Sequence, residues 1–250
     1  MGTADLTLPA AYDPEAVAAW EDTHRYTPAP RHRRRLLLNI MDHLDFDDVL
    51  DAGCAQPFLL GDVVRRYRVD GAGCDLSGCV IDANRRVLPG CDFRALDLTT
   101  QTWPDGRRFD LVVCSEVLEH VDAWPDAVAN LVKMTRKHLL ITVPGGPVRA
   151  MDRMVGHVGH FRGPELSLAL EALGCRVESS VRWGWPLHTA YKAAISRLSP
   201  ERLYASFTDG RRYGPAKKIV SELLYRLFFL NDLSGHGNQL IIHARVGGDS

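Results

Sequence analysis

The chain predicts an α/β fold: a mostly parallel sheet with helices on both faces. Three observations point there. Apolar runs of strand length alternate with amphipathic runs of helix length between residues 48 and 183. The carboxyl ends of those apolar runs carry acids and glycines: Asp51 and Gly53, Asp75, Asp97, Glu116, and Gly145 with Gly146. The 250 residues, 46% hydrophobic with a formal net charge of −1, suffice for one large core and lack the composition of a disordered chain.

Residues 1–13 are small, polar and without a packing pattern. Pro14 suits a first helical turn, and a helix is expected from there to about Tyr26. Thr27-Pro28-Ala29-Pro30 should break it. From Arg31 to Leu44 the apolar residues Leu36, Leu37, Ile40, Met41 and Leu44 recur at helical spacing, so this helix should pack on the sheet. Strands follow at 48–52, 69–74, 92–96, 109–114, 138–143 and 175–183, with helices at about 58–67, 78–87, 122–136 and 164–173. The last strand is 239–246. The stretch before it is too long for a hairpin loop, carries Trp185, His188, Tyr191, Tyr204, Phe207 and Tyr213, and holds an apolar helix around 219–230. The expected organisation is a cap segment at 1–30, a core at 31–183 plus 237–247, and a helical lid at 184–236 that shapes a pocket.

Composition narrows the function. A net charge of −1 gives no global attraction to nucleic acid or to an acidic membrane. The first residues lack a basic start with an apolar run, and no stretch is long and apolar enough to span a bilayer. The 6 cysteines form no C-x-x-C pair and read as reduced thiols. A cytoplasmic enzyme, monomeric or homodimeric, is the expectation.

Val49-Leu50-Asp51-Ala52-Gly53-Cys54-Ala55-Gln56 reads as a strand running into a tight turn and a helix, the place where ribose-containing cofactors bind. Glycine lets backbone approach a ligand closely. A carboxylate ending the next strand, Asp75, can hold two ribose hydroxyls. G-x-G-x-x-G is absent: Ala55 and Pro57 stand where further glycines would, which argues against a pyrophosphate. Ala55 is tolerable there if its dihedral is ordinary, and Pro57 can open the following helix.

The full set of motifs is Asp51–Cys54 (DAGC), Cys74–Ser77 (CDLS), Leu96–Thr99 (LDLT), Phe109–Val121 (FDLVVCSEVLEHV) and Val143–Gly146 (VPGG). In this order they resemble class I S-adenosylmethionine-dependent methyltransferases over residues 31–183 plus the last strand. SEVLEHV with a later His-rich loop is most similar to the ubiquinone-biosynthesis O-methyltransferases, and also to small-RNA 2′-O-methyltransferases. The resemblance implies a Rossmann-like seven-stranded sheet with an antiparallel last strand and S-adenosylmethionine in the crevice. Asp51 would order the turn of Gly53, Cys54, Ala55 and Gln56 around the methionine end. Asp75, with Leu76, would bind the ribose. Asp97 or Leu98 would meet the adenine edge, and Ser115 and Glu116 would lie along the cofactor. In the Arg31–Arg35 run, a candidate phosphate patch or solvated face, Arg34 is the expected partner of the cofactor carboxylate.

Methyl transfer to a hydroxyl needs a base or a metal. His157 and His160, with His120 nearby, are the candidate bases, His157 first. Glu116, Glu119 and His120, at i, i+3 and i+4, would share one side of a helical turn. The resemblance implies that these three with His157 form the ligand set of any divalent metal. The expected reaction is O-methylation of a small molecule such as a secondary metabolite, sugar or nucleoside. RNA 2′-O-methylation and a catalytically retired cofactor binder are the alternatives.

Overall fold

The computed structural model describes residues 22–162, 164–195 and 213–247. Residues 22–26 are helical, ending the first expected helix; the rest of it and most of the cap segment lie outside the described residues, as do Tyr204 and Phe207. Helix α1 then spans Pro28–Met41. The expected break at 27–30 is instead its first turn. Prolines fit there because the first amides of a helix have no partner to lose.

Strand β1 (Asp48–Ala52), helix α2 (Phe58–Tyr67), β2 (Asp70–Asp75), α3 (Gly78–Val87) and β3 (Asp92–Ala95) form the first half. The second half has β4 (Phe109–Ser115), α4 (Trp124–Met134), β5 (Thr135–Pro144), a short α5 (Ala150–Met154), α6 (Glu165–Ala172) and β6 (Arg176–Trp183). Helices α7 (Leu187–Ile195) and α8 (Pro215–Phe228) precede β7 (Gln239–Arg245). The sheet order is β3-β2-β1-β4-β5-β7-β6, with only β7 antiparallel to its neighbours. The strand order reverses between β1 and β4, which opens a crevice at their carboxyl ends.

Side-chain alternation explains the two-sided core. Val49, Leu111, Val113 and Leu140 point to one face, covered by Leu37 and Met41 of α1, Leu60 and Val63 of α2 and Ile81 of α3. Leu50, Val112, Cys114, Leu139, Ile141 and Val143 point to the other, covered by Val128 and Leu131 of α4 and Leu166 and Leu170 of α6. Helix α8 packs against α1. Between them His32 is fully buried, its ring 4.9 Å from that of Trp183, with Nε2 3.0 Å from Asp232. No described helix is long and apolar enough to cross a membrane.

Candidate active site

The turn after β1 is fixed by its own backbone. Gly53 and Cys54 donate their amides to the Cys74 carbonyl at 2.8 and 2.9 Å. Gly53 has φ 77°, and a Cβ there would stand 2.3 Å from Val117 Cγ2, so no other residue fits. Ala55 departs from the ordinary dihedral that was expected: its φ is 39°. Asn84 of α3 holds that strained residue by donating Nδ2 to its carbonyl at 2.7 Å. Gln56 meets the His24 ring at 3.3 Å.

Asp75 is buried, and its carboxylate accepts the Ala55 amide at 3.0 Å and the Ser77 amide at 2.9 Å. Burial pushes its pKa up while those two amides oppose the shift. Asp51 is also buried and is pushed up to about 7, first by desolvation and then by the charge of Asp75, against a backbone hydrogen bond from Leu60. Neither acid has a cation beside it among the hydrogen bonds and ion pairs of the described residues. A carboxylate held only by amides suits a neutral diol donor pair, so these residues fit the ribose of S-adenosylmethionine. Leu76 is 60% exposed at the same rim, free to cover a ring. Asp97 is turned into its own loop, accepting from the Thr99 amide and hydroxyl. Leu98 lies in the core with its carbonyl taken by Asn130.

Two expected roles change. Arg34 donates to the His24 carbonyl at 2.8 Å and faces Asp62 at 3.4 Å, whereas Arg33 reaches the crevice and pairs with Glu116 Oε2 at 3.1 Å. Helical phase gives the reason. Arg33 stands one and two turns before the buried Leu37 and Met41, so it shares their inward face. That spacing was the overlooked signal. Secondly, Glu116 does not share a face with Glu119 and His120. It has φ 58° and precedes a 3₁₀ turn at Leu118–His120. Its Oε1 accepts from the Thr142 hydroxyl, which also contacts Ser115, so it stays on the cofactor side.

Glu119 and His120 instead meet the loop after β5. Glu119, His120 and His157 each offer a ligand atom within 4.8 Å of one another, and Asp152, His157 and His160 do the same. His157 therefore belongs to both groups. Glu119 is 1% exposed and both its carboxylate oxygens are buried without a hydrogen-bond partner. Burial, and then Glu116, raise its pKa well above the usual carboxylate value. His120 is held by the Gly156 backbone and its pKa is lowered by burial. His157 Nδ1 lies 2.9 Å from His160 Nε2, and His160 Nδ1 lies 3.3 Å from the Gly146 carbonyl. Burial first, then the charges of His120 and His160 against that of Asp152, bring His157 down to about 3. Asp152, not singled out from sequence, accepts the Arg149 amide and binds Lys192 of α7 at 3.2 Å, tying the insertion to this loop.

A family model described as a methyltransferase domain matches residues 20–180. No curated protein matches the chain. Among solved structures, N-methyltransferase NodS from Bradyrhizobium japonicum, in complex with S-adenosyl-L-homocysteine, is 16% identical; the alignment covers 94% of this chain and 96% of that one, with TM-score 0.59. Phosphoethanolamine N-methyltransferase 2 from Haemonchus contortus, in complex with S-adenosyl-L-methionine, is 11% identical over 96% of this chain and 59% of its own, with TM-score 0.64. The [4+2]-cyclase SpnF is 18% identical over 88% of this chain and 82% of its own, with TM-score 0.60. These likenesses agree with the family match in fold. The chain belongs to the methyltransferase domain family and is an S-adenosylmethionine-dependent methyltransferase.

Proposed function

We propose that this methyltransferase O-methylates a small organic acceptor held beneath the 184–236 insertion, and that His157 takes up the acceptor proton. When bound, S-adenosylmethionine supplies an electrophilic methyl on a sulfonium. The chain positions the acceptor, excludes water and accepts the proton.

The observation that carries the reading is the hydrogen-bond order of the 157–160 loop. A carbonyl only accepts, so His160 Nδ1 donates to Gly146. A neutral His160 then accepts at Nε2, and His157 Nδ1 must donate to it. This leaves the His157 Nε2 lone pair free on a neutral ring; burial makes that ring a weak base alone, so uptake of a proton at Nε2 goes with passage of the Nδ1 proton to His160 Nε2. Asp152, 3.8 Å from His160 Nε2, stands behind the relay to stabilise a proton arriving on it. The aromatic residues of the insertion and the net charge of −1 favour an organic molecule over a polynucleotide. RNA would instead bind with a steep salt dependence.

A second reading has its own observation. Glu119 has two unpartnered buried oxygens beside His120 and His157. Neutral imidazoles with one nitrogen anchored, next to an unpaired carboxylate, fit a divalent cation. Glu119, His120 and His157 would hold it, without Glu116, and it would polarise the acceptor oxygen as a Lewis acid.

Labelled S-adenosylmethionine incubated with fractionated metabolites, read by mass spectrometry, identifies the acceptor. Turnover of His157→Ala and Glu119→Gln, with and without chelator, then separates the readings. Loss in His157→Ala alone, insensitive to chelator, supports the base. Chelator-sensitive turnover lost in both, with saturable Mn²⁺ binding to the wild type by calorimetry, supports the cation. Near-wild-type rates throughout would refute both and leave proximity alone, the chemistry expected for an amine acceptor such as the names of two of the similar N-methyltransferases carry.

A further inference from the structure

We infer that a cavity between α1, α2 and α8, separate from the crevice, binds a phosphate group. The cavity has a volume of about 240 Å³ and is lined by Arg31, Arg34, Arg35, Asp62, Arg66 and Tyr225, among others. It lies on the side of α1 opposite Arg33, so the Arg31–Arg35 run divides: one arginine serves the crevice and three serve the cavity.

The charge inside is unbalanced. Four guanidinium groups line the cavity against one carboxylate, Asp62. The other acids that pair with these arginines stand outside the lining: Glu222 with Arg31 at 2.8 Å, Asp232 with Arg35 at 2.5 Å and Asp42 with Arg66 at 2.7 Å. Each guanidinium carries five donors, and one such contact uses one or two. The Nε of Arg35 is buried and makes no hydrogen bond, and the Nε of Arg34 has only the Asp62 carboxylate at 3.4 Å. The side chains of Arg31, Arg34 and Arg35 are 21%, 19% and 21% exposed, so water satisfies few of the remaining donors. Burial and the neighbouring charges of Arg33 and Arg31 pull the Arg34 pKa down against Asp62. An anion would relieve both strains.

Geometry selects the anion. The arginines come from two helices, and the Arg31 Cζ lies over the Tyr225 ring, 3.8 Å from its centroid, on a third. Guanidinium forks approaching from several directions match a tetrahedral group with several acceptor oxygens better than a planar carboxylate, which one fork fills. The phosphate can belong to a soluble ester or to a lipid headgroup.

The test is calorimetry on the full chain in low-salt buffer with inorganic phosphate and pyrophosphate. Saturable one-to-one binding is expected, weakened about tenfold or more in Arg66→Gln and Arg35→Gln. Arg66 is half exposed, so Arg66→Gln keeps the test clear of misfolding; its affinity for S-adenosylmethionine should match wild type. Co-sedimentation with phosphatidylcholine vesicles, plain or containing a phosphatidylinositol phosphate, separates the sources. Binding only to the phosphorylated vesicles, displaced by pyrophosphate, assigns a headgroup; no vesicle binding beside a phosphate heat assigns a soluble ester. No saturable heat, equal affinity in Arg66→Gln, or binding to RNA but to neither phosphate would overturn the inference. Loss of methyl transfer would bear on the crevice and not on this cavity.

Discussion

The two walls of the crevice are built differently. The wall at Gly53–Gln56 and Asp75 is closed by backbone hydrogen bonds between two neighbouring strand ends, and its buried carboxylate meets amides on both oxygens. The wall at 116–120 and 145–161 is assembled from two segments of chain, and its buried carboxylate, Glu119, has no hydrogen-bond partner among the described residues, only His120 and His157 nearby. The first wall is complete as it stands and needs only a ligand that fits. The second holds unspent bonding capacity, which is where an acceptor or a cation acts.

The sharpest way to break the first wall is Gly53→Ala. The positive φ and the 2.3 Å approach to Val117 together should cost about 2–4 kcal/mol in urea unfolding. Gly159→Ala in the second wall, with open space around the added carbon, should stay within about 0.5 kcal/mol. Similar losses at both sites would erase the contrast.

Within the second wall, pH acts with opposite signs on its imidazole and its carboxylate. His157 and His188 sit near 3 in the fold against an ordinary 6.5. The folded state therefore binds fewer protons than the unfolded one between those values. Stability should fall as pH drops from 6.5 toward about 3, read as a declining thermal midpoint. Glu119 is shifted the other way. Its folded pKa is raised, so stability is full below the usual carboxylate value and is lost as pH rises. Glu119→Gln should hence gain in midpoint over wild type near pH 8 and match it near pH 4. A variant less stable than wild type at both pH values would mean that Glu119 is partnered in solution.

The smallest effect is expected at the tie between insertion and loop. Lys192→Ala removes a partly exposed ion pair to Asp152 and should cost less than about 1 kcal/mol. Acceptor KM should rise while cofactor affinity stays unchanged. A fall in cofactor affinity would make the insertion part of the first wall.

This division also explains what could be read from the chain. Helices at 58–67 and 78–87 are found where periodicity places them, and Asp51, Gly53 and Asp75 stand where strand ends place them, because those signals are local. That Arg33, and not Arg34, pairs with Glu116 follows from helical phase, readable in its spacing to Leu37 and Met41. The separation of Glu116 from Glu119 was not legible: it depends on one left-handed residue, which no glycine or asparagine announces. Nor was Asp152 behind His160, since that contact depends on how the 145–161 loop closes on itself through the bridge of Gly145 to Phe161.

The central claim is that one wall holds the cofactor and the other works on the acceptor. Calorimetric titration of S-adenosylmethionine into Asp75→Ala and His157→Ala, side by side, tests it without any knowledge of the acceptor. The account expects Asp75→Ala to lose about 1–3 kcal/mol of cofactor binding and His157→Ala to bind as wild type does. An unchanged affinity in folded Asp75→Ala, or an equal loss in His157→Ala, would contradict it.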